Sequence, residues 1–279
     1  MPHKYRLTCL VDNTVQFDSA FWAEHGISFL VESKGIKALF DTGQTATVLQ
    51  HNLSLVGEDL KDLRYIILSH GHYDHTGGLR AALAQATRVT IFAHPKIFGE
   101  KYARREDGLK SIGIPFSRED VECQGQLQLT KESVEIAQGI WTTGQIARLT
   151  DFELGDARLL TKKADGTLIQ DEVPDDQALV LEMDEGLVVL LGCCHAGLIN
   201  TLAHVRRLFG QPIYAIVGGT HLQGATEERV AKTIMAVRDE YRPQQVYLNH
   251  CTGEKAFCLF SQTMGEKVRS CPVGTVLTF

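Results

Sequence analysis

The sequence predicts an α/β protein with a four-layer αββα sandwich, in which two sheets pack face to face between outer helices. Three observations predict it. Each half of the chain contains two apolar runs around a three-residue turn with glycine, the pattern of a β-hairpin. Each hairpin is followed by a helical stretch and then by another apolar strand. Polar residues stand at the ends of these strands, where α/β proteins form their sites.

In the first half, residues 27–32 and 36–40 form the predicted hairpin, and the helical stretch covers residues 46–53. The apolar run 65–68 then predicts a short buried strand. Gly71 lets the chain turn sharply as it leaves that strand.

The second half repeats this order. Residues 178–183 and 187–191 form the second predicted hairpin. Residues 199–209 carry apolar side chains on one helical face, and residues 213–217 form the strand that follows. A further apolar strand is predicted over residues 246–248.

The bulk composition is that of an ordinary globular protein. Of 279 residues, 44% are hydrophobic and 22% are charged, so the chain can bury a large core. No low-complexity tract or linker divides it, and we expect one domain over residues 1–279. The net charge of −6 argues against a nucleic-acid partner, because proteins that coat a phosphate backbone usually carry a basic excess.

The cysteines and apolar runs indicate the compartment. Seven cysteines at irregular spacing argue against a disulfide framework. The start of the chain lacks the apolar segment of a secretion signal, and no run approaches the roughly 18 apolar residues of a membrane helix. We therefore expect a reduced, cytoplasmic protein with no membrane partner, and the sequence leaves its oligomeric state open.

Residues 95–140 interrupt the rhythm of strands and helices with basic side chains among glycines and a proline. Such a segment near a polar site is typical of a lid that holds an anionic substrate, and the alternative is a solvated surface excursion. The basic residues are Lys96, Lys101, Arg104, Arg105, Lys110 and Arg118.

Three imidazoles and a carboxylate occur within six positions, in the segment His70-Gly71-His72-Tyr73-Asp74-His75. Alternate residues of an extended turn point the same way, so His70 and His72 can bind one ion together. Asp74 and His75 fall on the other side of the turn and can bind a second ion. Imidazole and carboxylate ligands suit zinc, iron or manganese.

Further candidates stand at the ends of other strands. His195 and His221 each follow an apolar strand, so both emerge from the sheet. His250 ends the third strand, where ligation and a contact to a ligand or substrate are both open. Asp41 ends the first hairpin and is expected to accept an imidazole N–H and fix its tautomer, or else to form a turn.

The hexapeptide and its continuation Thr76-Gly77-Gly78-Leu79 resemble the metallo-β-lactamase fold superfamily, whose hallmark is His-x-His-x-Asp-His after a strand. From about residue 20 to the C-terminus, the chain also resembles one branch of that superfamily. The branch is named for the archaeal 7,8-dihydropterin-6-methyl-4-(β-D-ribofuranosyl)aminobenzene-5′-phosphate synthase. The segments that carry this second resemblance are 141–146, 175–178, 192–201, 218–222 and 250–253.

The resemblance implies the αββα architecture, with metals at one edge between the sheets. Two segments depart from the wider superfamily. Residues 143–145 read Thr-Gly-Gln where most of its hydrolases have Pro-Gly-His, so the third histidine of the first ion is expected from His195. Residues 192–193 read Gly-Cys where those hydrolases have a Gly-Asp that bridges two metals.

The second departure leaves two questions open. A bridging carboxylate is expected only if Asp175 or Asp176 reaches the site. Cys193 or Cys194 could supply a thiolate, or both could be buried for structural reasons or lie behind the ligands.

We hypothesise that His70, His72 and His195 hold one ion, and that Asp74, His75 and His221 hold a second. The expected cofactors are one or two divalent ions, with zinc the first choice and iron or manganese the alternatives. Metals lower the pKa of a shared water towards about 7. The carboxylate of Asp74 could also orient that water, which makes it the candidate catalytic residue.

The expected substrate is an anionic small molecule, phosphorylated and pterin-like, and the expected reaction is hydrolysis or a dihydropterin-type group transfer. Two alternatives stay open. One is an iron-dependent redox enzyme on the same fold, and the other is a ligand-binding relative without turnover. Residues expected to support the ligands or contact the substrate are Asp41, Cys194, His250 and Arg148.

Overall fold

The computed structural model describes residues 4–279. Residues 1–3 lie outside that range, and they are part of the start of the chain on which the expectation of no secretion signal rests. The described chain contains 18 strands. In chain order they are β1 (Arg6–Val11), β2 (Ser28–Ser33), β3 (Ile36–Phe40), β4 (Tyr65–Ile67), β5 (Thr90–Ala93), β6 (Lys101–Arg105), β7 (Gly108–Ser111), β8 (Gln126–Leu129), β9 (Val134–Ala137), β10 (Ile140–Thr142), β11 (Leu159–Lys162), β12 (Leu168–Gln170), β13 (Leu179–Met183), β14 (Gly186–Leu191), β15 (Ile213–Gly218), β16 (Gln245–Leu248), β17 (Val268–Ser270) and β18 (Val276–Thr278).

Seven α-helices lie between these strands within residues 4–279. None of them is both long enough and apolar enough to cross a membrane. They are α1 (Ala46–Leu55), α2 (Tyr73–Thr76), α3 (Leu79–Gln85), α4 (Arg118–Glu122), α5 (Leu198–Phe209), α6 (Glu227–Ala236) and α7 (Glu254–Met264).

Two seven-stranded sheets form the body of the fold. The first has the order β18-β1-β2-β3-β4-β5-β8, and the second has the order β17-β16-β15-β14-β13-β10-β9. Each sheet combines antiparallel hairpins with a parallel run, β3-β4-β5-β8 in the first and β14-β15-β16-β17 in the second. Both predicted hairpins are present, as β2–β3 and β13–β14.

Successive side chains along each strand point to opposite faces of the sheet, and this alternation divides the core into three layers. From β2, Phe29 and Val31 join the cluster between the two sheets, whereas Leu30 joins the cluster beneath α1 and α3. From β14, Val188 and Leu190 face the first sheet, while the other side of the strand packs under α5, α6 and α7. This confirms the four-layer αββα sandwich, and it explains why β14 has no polar side chain at any position.

A third sheet of four strands, in the order β12-β11-β6-β7, stands apart from the two large sheets. Its strands come from residues 101–111 and 159–170. The predicted excursion over 95–140 therefore differs in extent, because β8, β9 and β10 at its far end are strands of the large sheets. The hairpin β6–β7 reaches the histidine loop, since Tyr73 N–H donates to Ile112 O at 3.0 Å. Its role as a lid remains a prediction.

The two large sheets are in close contact where β14 ends. A Cβ atom on Gly192 would overlap the side chain of Ser69 and come within 3.0 Å of Asp41 Oδ2. Glycine is required here because two segments of the chain approach each other closely. Its backbone conformation is not the reason, since its φ is not in the left-handed region.

We predict that Gly192→Ala destabilises the fold by about 1–3 kcal/mol through this overlap. The matched control is Gly113→Ala, where an added Cβ would find its nearest neighbours at 3.6 Å, an ordinary contact distance. The measurement is urea unfolding followed by tryptophan fluorescence. Equal midpoint shifts for the two variants would contradict the close approach.

Candidate metal centre

The candidate site lies where strands of both sheets end at a common edge. The histidine loop follows β4, and Cys193 and His195 follow β14, while His221 and His250 follow β15 and β16. Parallel strands place their carboxyl ends at the same edge, which is why residues so far apart in sequence meet. Four non-glycine residues at these strand ends have left-handed backbone, with φ between 47° and 60°: Asp41, Cys194, His221 and His250.

One group of ligand atoms comes from His70, His72 and His195, all within 4.8 Å of one another. His70 Nε2 lies 2.8 Å from His72 Nδ1. The Nε2 atoms of His72 and His195 are buried and have no hydrogen-bond partner among the described residues. Burial lowers the pKa of all three histidines well below the ordinary value, so their imidazoles are neutral, which is the form that binds metal.

A second group forms a closed ring of four atoms. Asp74 Oδ2 lies 3.5 Å from His75 Nε2 and 3.6 Å from His250 Nε2. Cys193 Sγ lies 3.3 Å from the same nitrogen of His75 and 3.2 Å from that of His250. Burial raises the pKa of this thiol, so a thiolate here needs a cation beside it.

Behind these atoms, hydrogen bonds fix the orientation of the rings. Asp41 Oδ2 accepts the Nδ1–H of His75 at 2.7 Å, and Ser69 Oγ donates to the same carboxylate at 2.6 Å. Burial by itself lowers the pKa of His75, but the carboxylates of Asp74 and Asp41 outweigh it and raise the pKa to about 9. The carboxylate of Asp41 thus turns Nε2 of His75 towards the ring of four.

His250 is oriented in the same way from another part of the chain. Its Nδ1 lies 2.9 Å from Asn13 Oδ1, so the ring donates there and leaves Nε2 free to accept. The same amide approaches His25, whose Nε2 lies 3.3 Å from Asp74 Oδ2 with 53% of its side chain exposed. Sequence reasoning missed Asn13 and His25, since both are isolated polar residues in loops without a motif.

His221 lies beside His195 and within 4.8 Å of the sulfur of Cys193. The two ring centroids are 4.2 Å apart, and His221 Nε2 lies 3.7 Å from Asp156 Oδ2. Its Nδ1 is buried without a partner, and the ligand group that contains it holds Cys193 and Cys251. The structure brings His250 to Asp74 and His75, where the sequence hypothesis placed His221; which of them binds metal stays a prediction.

The other predicted residues serve the loops around the site. Arg148 donates to the backbone carbonyls of Glu153, Glu172, His195 and Ala196, so it holds the loop that carries His195. Cys194 Sγ lies 3.3 Å from Thr201 Oγ1 and packs in the core under α5.

The two aspartates considered as bridges hold backbone groups instead. Asp175 Oδ2 accepts the N–H of Gly71 at 2.8 Å, while its other oxygen pairs with the buried amine of Lys101 at 2.6 Å. Asp176 accepts the N–H of Ala196 at 2.7 Å, and burial raises its pKa to about 7. Lys101 belongs to β6, so this buried pair ties the third sheet to the histidine loop.

The site opens into a cavity of about 470 Å³. Both ligand groups contribute to its floor, through His72, His195, Asp74, Cys193 and His250. Its rim carries three arginines. Arg158 is paired with Asp156, but within residues 4–279 no carboxylate forms an ion pair with the exposed side chains of Arg104 and Arg105.

The residues present fit divalent metal ions. Within residues 4–279, three buried imidazole nitrogens lack partners, on His72, His195 and His221. In the ring of four, two imidazole nitrogens, a carboxylate and a sulfur turn towards one another, and a cation among them would stabilise the lone pairs gathered in this way. Histidine, carboxylate and thiolate are together the ligands of zinc and related ions.

We predict that Asp41→Asn weakens metal binding about 10- to 100-fold, because an amide in this place no longer fixes the His75 tautomer. The measurement is a competitive titration with a chelator of known affinity. Asp59→Asn is the control, since that carboxylate is exposed and distant from the ligands. Unchanged affinity in Asp41→Asn would show that Asp41 only shapes the turn.

Comparison with known proteins identifies the family of the chain. The family model of the metallo-β-lactamase superfamily matches residues 23–144. The 7,8-dihydropterin-6-methyl-4-(β-D-ribofuranosyl)-aminobenzene-5′-phosphate synthase of Methanocaldococcus jannaschii is 32% identical, over 98% of this chain and 96% of the relative. MJ0448, an uncharacterized protein of the same organism, is also 32% identical, over 91% of this chain and 93% of the relative.

Solved structures show the same fold. Tm1679, described as a metal-dependent hydrolase of the β-lactamase superfamily, superposes with a TM-score of 0.85 at 28% identity, over 98% of both chains. A diphosphatase of the PhnP family superposes with a TM-score of 0.55 at 14% identity, over 99% of this chain and 97% of the other, which supports the fold alone. With a relative this similar along almost its entire length, the chain belongs to the metallo-β-lactamase superfamily, in the branch that contains the archaeal dihydropterin-linked synthase.

Proposed function

We propose that the protein is a metal-dependent enzyme that hydrolyses, or transfers a group from, a phosphorylated small molecule. One observation supports this most directly: members of two groups of metal-ligand side chains line a cavity whose rim carries Arg104 and Arg105, which have no ion-pair partner within residues 4–279. A pterin-like substrate is the first candidate, because the relative at 32% identity is named for a dihydropterin phosphate.

The metal ions and the protein side chains would contribute different parts of the reaction. Ions held by His70, His72 and His195, and by Asp74, His75 and His250, would act as Lewis acids on a phosphoryl oxygen and acidify a water. The chain itself has to position the substrate and move protons. A cavity of about 470 Å³ lies within the range of roughly 300–1,000 Å³ that is usual for small-molecule sites.

We assign to Asp74 the role of accepting a proton from water. Its Oδ2 faces His75, His250 and His25, and the side chain borders the cavity. A carboxylate in this place can hold a water by hydrogen bonding and accept its proton. His25 lies between Asp74 and solvent, so it can pass that proton outwards.

The third sheet excludes water and binds the anionic end of the substrate. Ile112 and Leu159 of this region form a buried cluster with Val173, and Tyr73 of the histidine loop packs against it. Arg104 and Arg105 stand beside this apolar wall at the cavity rim. Guanidinium groups suit phosphate because their planar donors can bind two oxygens at once.

We predict that His72→Ala abolishes turnover and removes at least one equivalent of metal, because it deletes a ligand from the first group. Metal content is measured by elemental analysis of protein purified without chelator or nickel affinity. Turnover is measured on a panel of aromatic phosphate esters and phosphorylated pterins. His51→Gln is the control, since His51 stacks on Trp22 away from the cavity.

Full turnover with retained metal in His72→Ala would overturn the assignment. Redox-active iron in the wild-type protein, together with no turnover on the panel, would favour the iron-dependent redox alternative.

We also predict that Arg104→Ala and Arg105→Ala each raise KM for the phosphorylated substrate about tenfold or more, with kcat little changed. Hydrogen bonds to a charged group contribute about 1.5–3 kcal/mol, and these arginines contact the substrate away from the reacting atoms. Arg118→Ala is the control, because Arg118 pairs with Glu122 and does not line this cavity. An unchanged KM in both variants would contradict a phosphate-binding rim.

A further inference from the structure

Cys193 stands apart from the other cysteines of the site because of what its sulfur contacts. Its Sγ lies 3.3 Å from His75 Nε2 and 3.2 Å from His250 Nε2, and the side chain is buried at the cavity floor. We propose that Cys193 is a thiolate ligand of the second metal ion, completing a set with Asp74, His75 and His250. This inference rests on the proposed metal dependence and adds a sulfur to the site.

The tautomers of His75 and His250 argue against a neutral thiol at Cys193. Nδ1–H of His75 donates to Asp41, and Nδ1–H of His250 donates to Asn13. When His75 is neutral, as a metal ligand must be, both Nε2 atoms present lone pairs to Cys193 and to the carboxylate of Asp74. A thiol has one hydrogen and can satisfy one of these acceptors, whereas a cation at the centre satisfies all of them.

The spacing of the four atoms suits one ion. The four sides of the observed ring measure 3.5, 3.3, 3.2 and 3.6 Å. Each side is short enough for the two ligand atoms that it joins to bind the same ion, because metal–ligand bonds measure about 2.0–2.3 Å.

The neighbouring cysteines have other partners. Cys251 Sγ accepts the backbone N–H of His221 at 3.2 Å and donates to the carbonyl of Cys193 at 3.4 Å, so the backbone uses both of its hydrogen-bonding functions. Cys194 turns to Thr201 in the core. Among these three, Cys193 is the cysteine whose sulfur lies within hydrogen-bonding distance of imidazole nitrogens in the described part of the chain. The sulfur of Cys251 lies within 4.8 Å of the Cys193 sulfur.

A sulfur ligand restricts the metal. Thiolate favours zinc, iron or cobalt over magnesium and manganese, which prefer oxygen ligands. When the ion binds, the S–H bond breaks, a metal–sulfur bond forms, and the proton passes to solvent, so no oxidant or reductant is needed. Cys193 also shares one ligand group with His70 and His75, and another with His221 and Cys251, which places its sulfur between the two metal positions.

The test is cobalt(II) added to the chelator-treated full chain, read by absorbance. A thiolate ligand gives a charge-transfer band in the near ultraviolet, which nitrogen and oxygen ligands do not give. We expect the band in the wild-type protein, its loss in Cys193→Ser, and its retention in Cys194→Ser and Cys251→Ser. We also expect the second equivalent of cobalt to bind at least about tenfold more weakly in Cys193→Ser.

Three results would overturn the inference: a band that persists in Cys193→Ser, a band that is lost in Cys251→Ser instead, or no band in wild-type protein that has bound two cobalt ions. If Cys193→Ser does not fold, X-ray absorption of the wild-type zinc protein decides, since a sulfur neighbour at about 2.3 Å is required.

Other results would contradict the proposed function. Wild-type protein that binds no cobalt would sink both proposals together. A cobalt–thiolate band without turnover on any phosphorylated compound would sink the proposed reaction and support the sulfur ligand.

Discussion

Both faces of each large sheet are covered, and this constraint decides where the protein can place polar chemistry. All six residues of β14 are buried, and an unpaired imidazole or carboxylate on either face of such a strand would cost several kcal/mol. Polar side chains are therefore confined to strand ends. The parallel strands of both sheets end at one edge, so the ligands of a metal centre gather there from four separate parts of the chain.

Hydrogen bonds behind the ligands make this gathering specific. Asp41 and Asn13 each accept the Nδ1–H of one histidine, which turns the opposite nitrogen of each ring to the centre. Left-handed backbone at Asp41 and His250 costs about 1–3 kcal/mol each, and the rigid strands on either side sustain that cost. The centre is thus preorganised by groups that lie behind the ligand atoms.

The third sheet is tied to this centre by a buried ion pair. The amine of Lys101 on β6 is buried against Asp175, whose other oxygen accepts the N–H of Gly71 in the histidine loop. Breaking such a pair by removing one partner usually costs about 3–5 kcal/mol, so the sheet is fixed firmly to the loop. Arg104 and Arg105, only a few residues further along β6, are therefore held at a set distance from the metal ligands.

Much of the fold could be predicted from the sequence, because hairpins and short buried strands depend on neighbouring residues. The runs around Gly35 and Gly186 fold as the predicted β2–β3 and β13–β14 hairpins. The spacing of His70, His72, Asp74 and His75 likewise marked the loop after β4 without any tertiary contact. Residues 159–170 gave no sign that they would complete the third sheet, because β11 pairs with β6 across a long stretch of chain, with Leu159 opposite Ala103, 56 positions away.

The sequence by itself determined the architecture and the loop at its centre. Only the tertiary structure decided which side chains complete the site: Asn13 behind His250 across 237 positions, and Cys193 beside His75 across 118. The physical reason is that a metal site is a set of distances of a few ångströms. Local sequence fixes the direction of a side chain on its strand or turn, but the packing of one sheet on the other fixes which side chains meet.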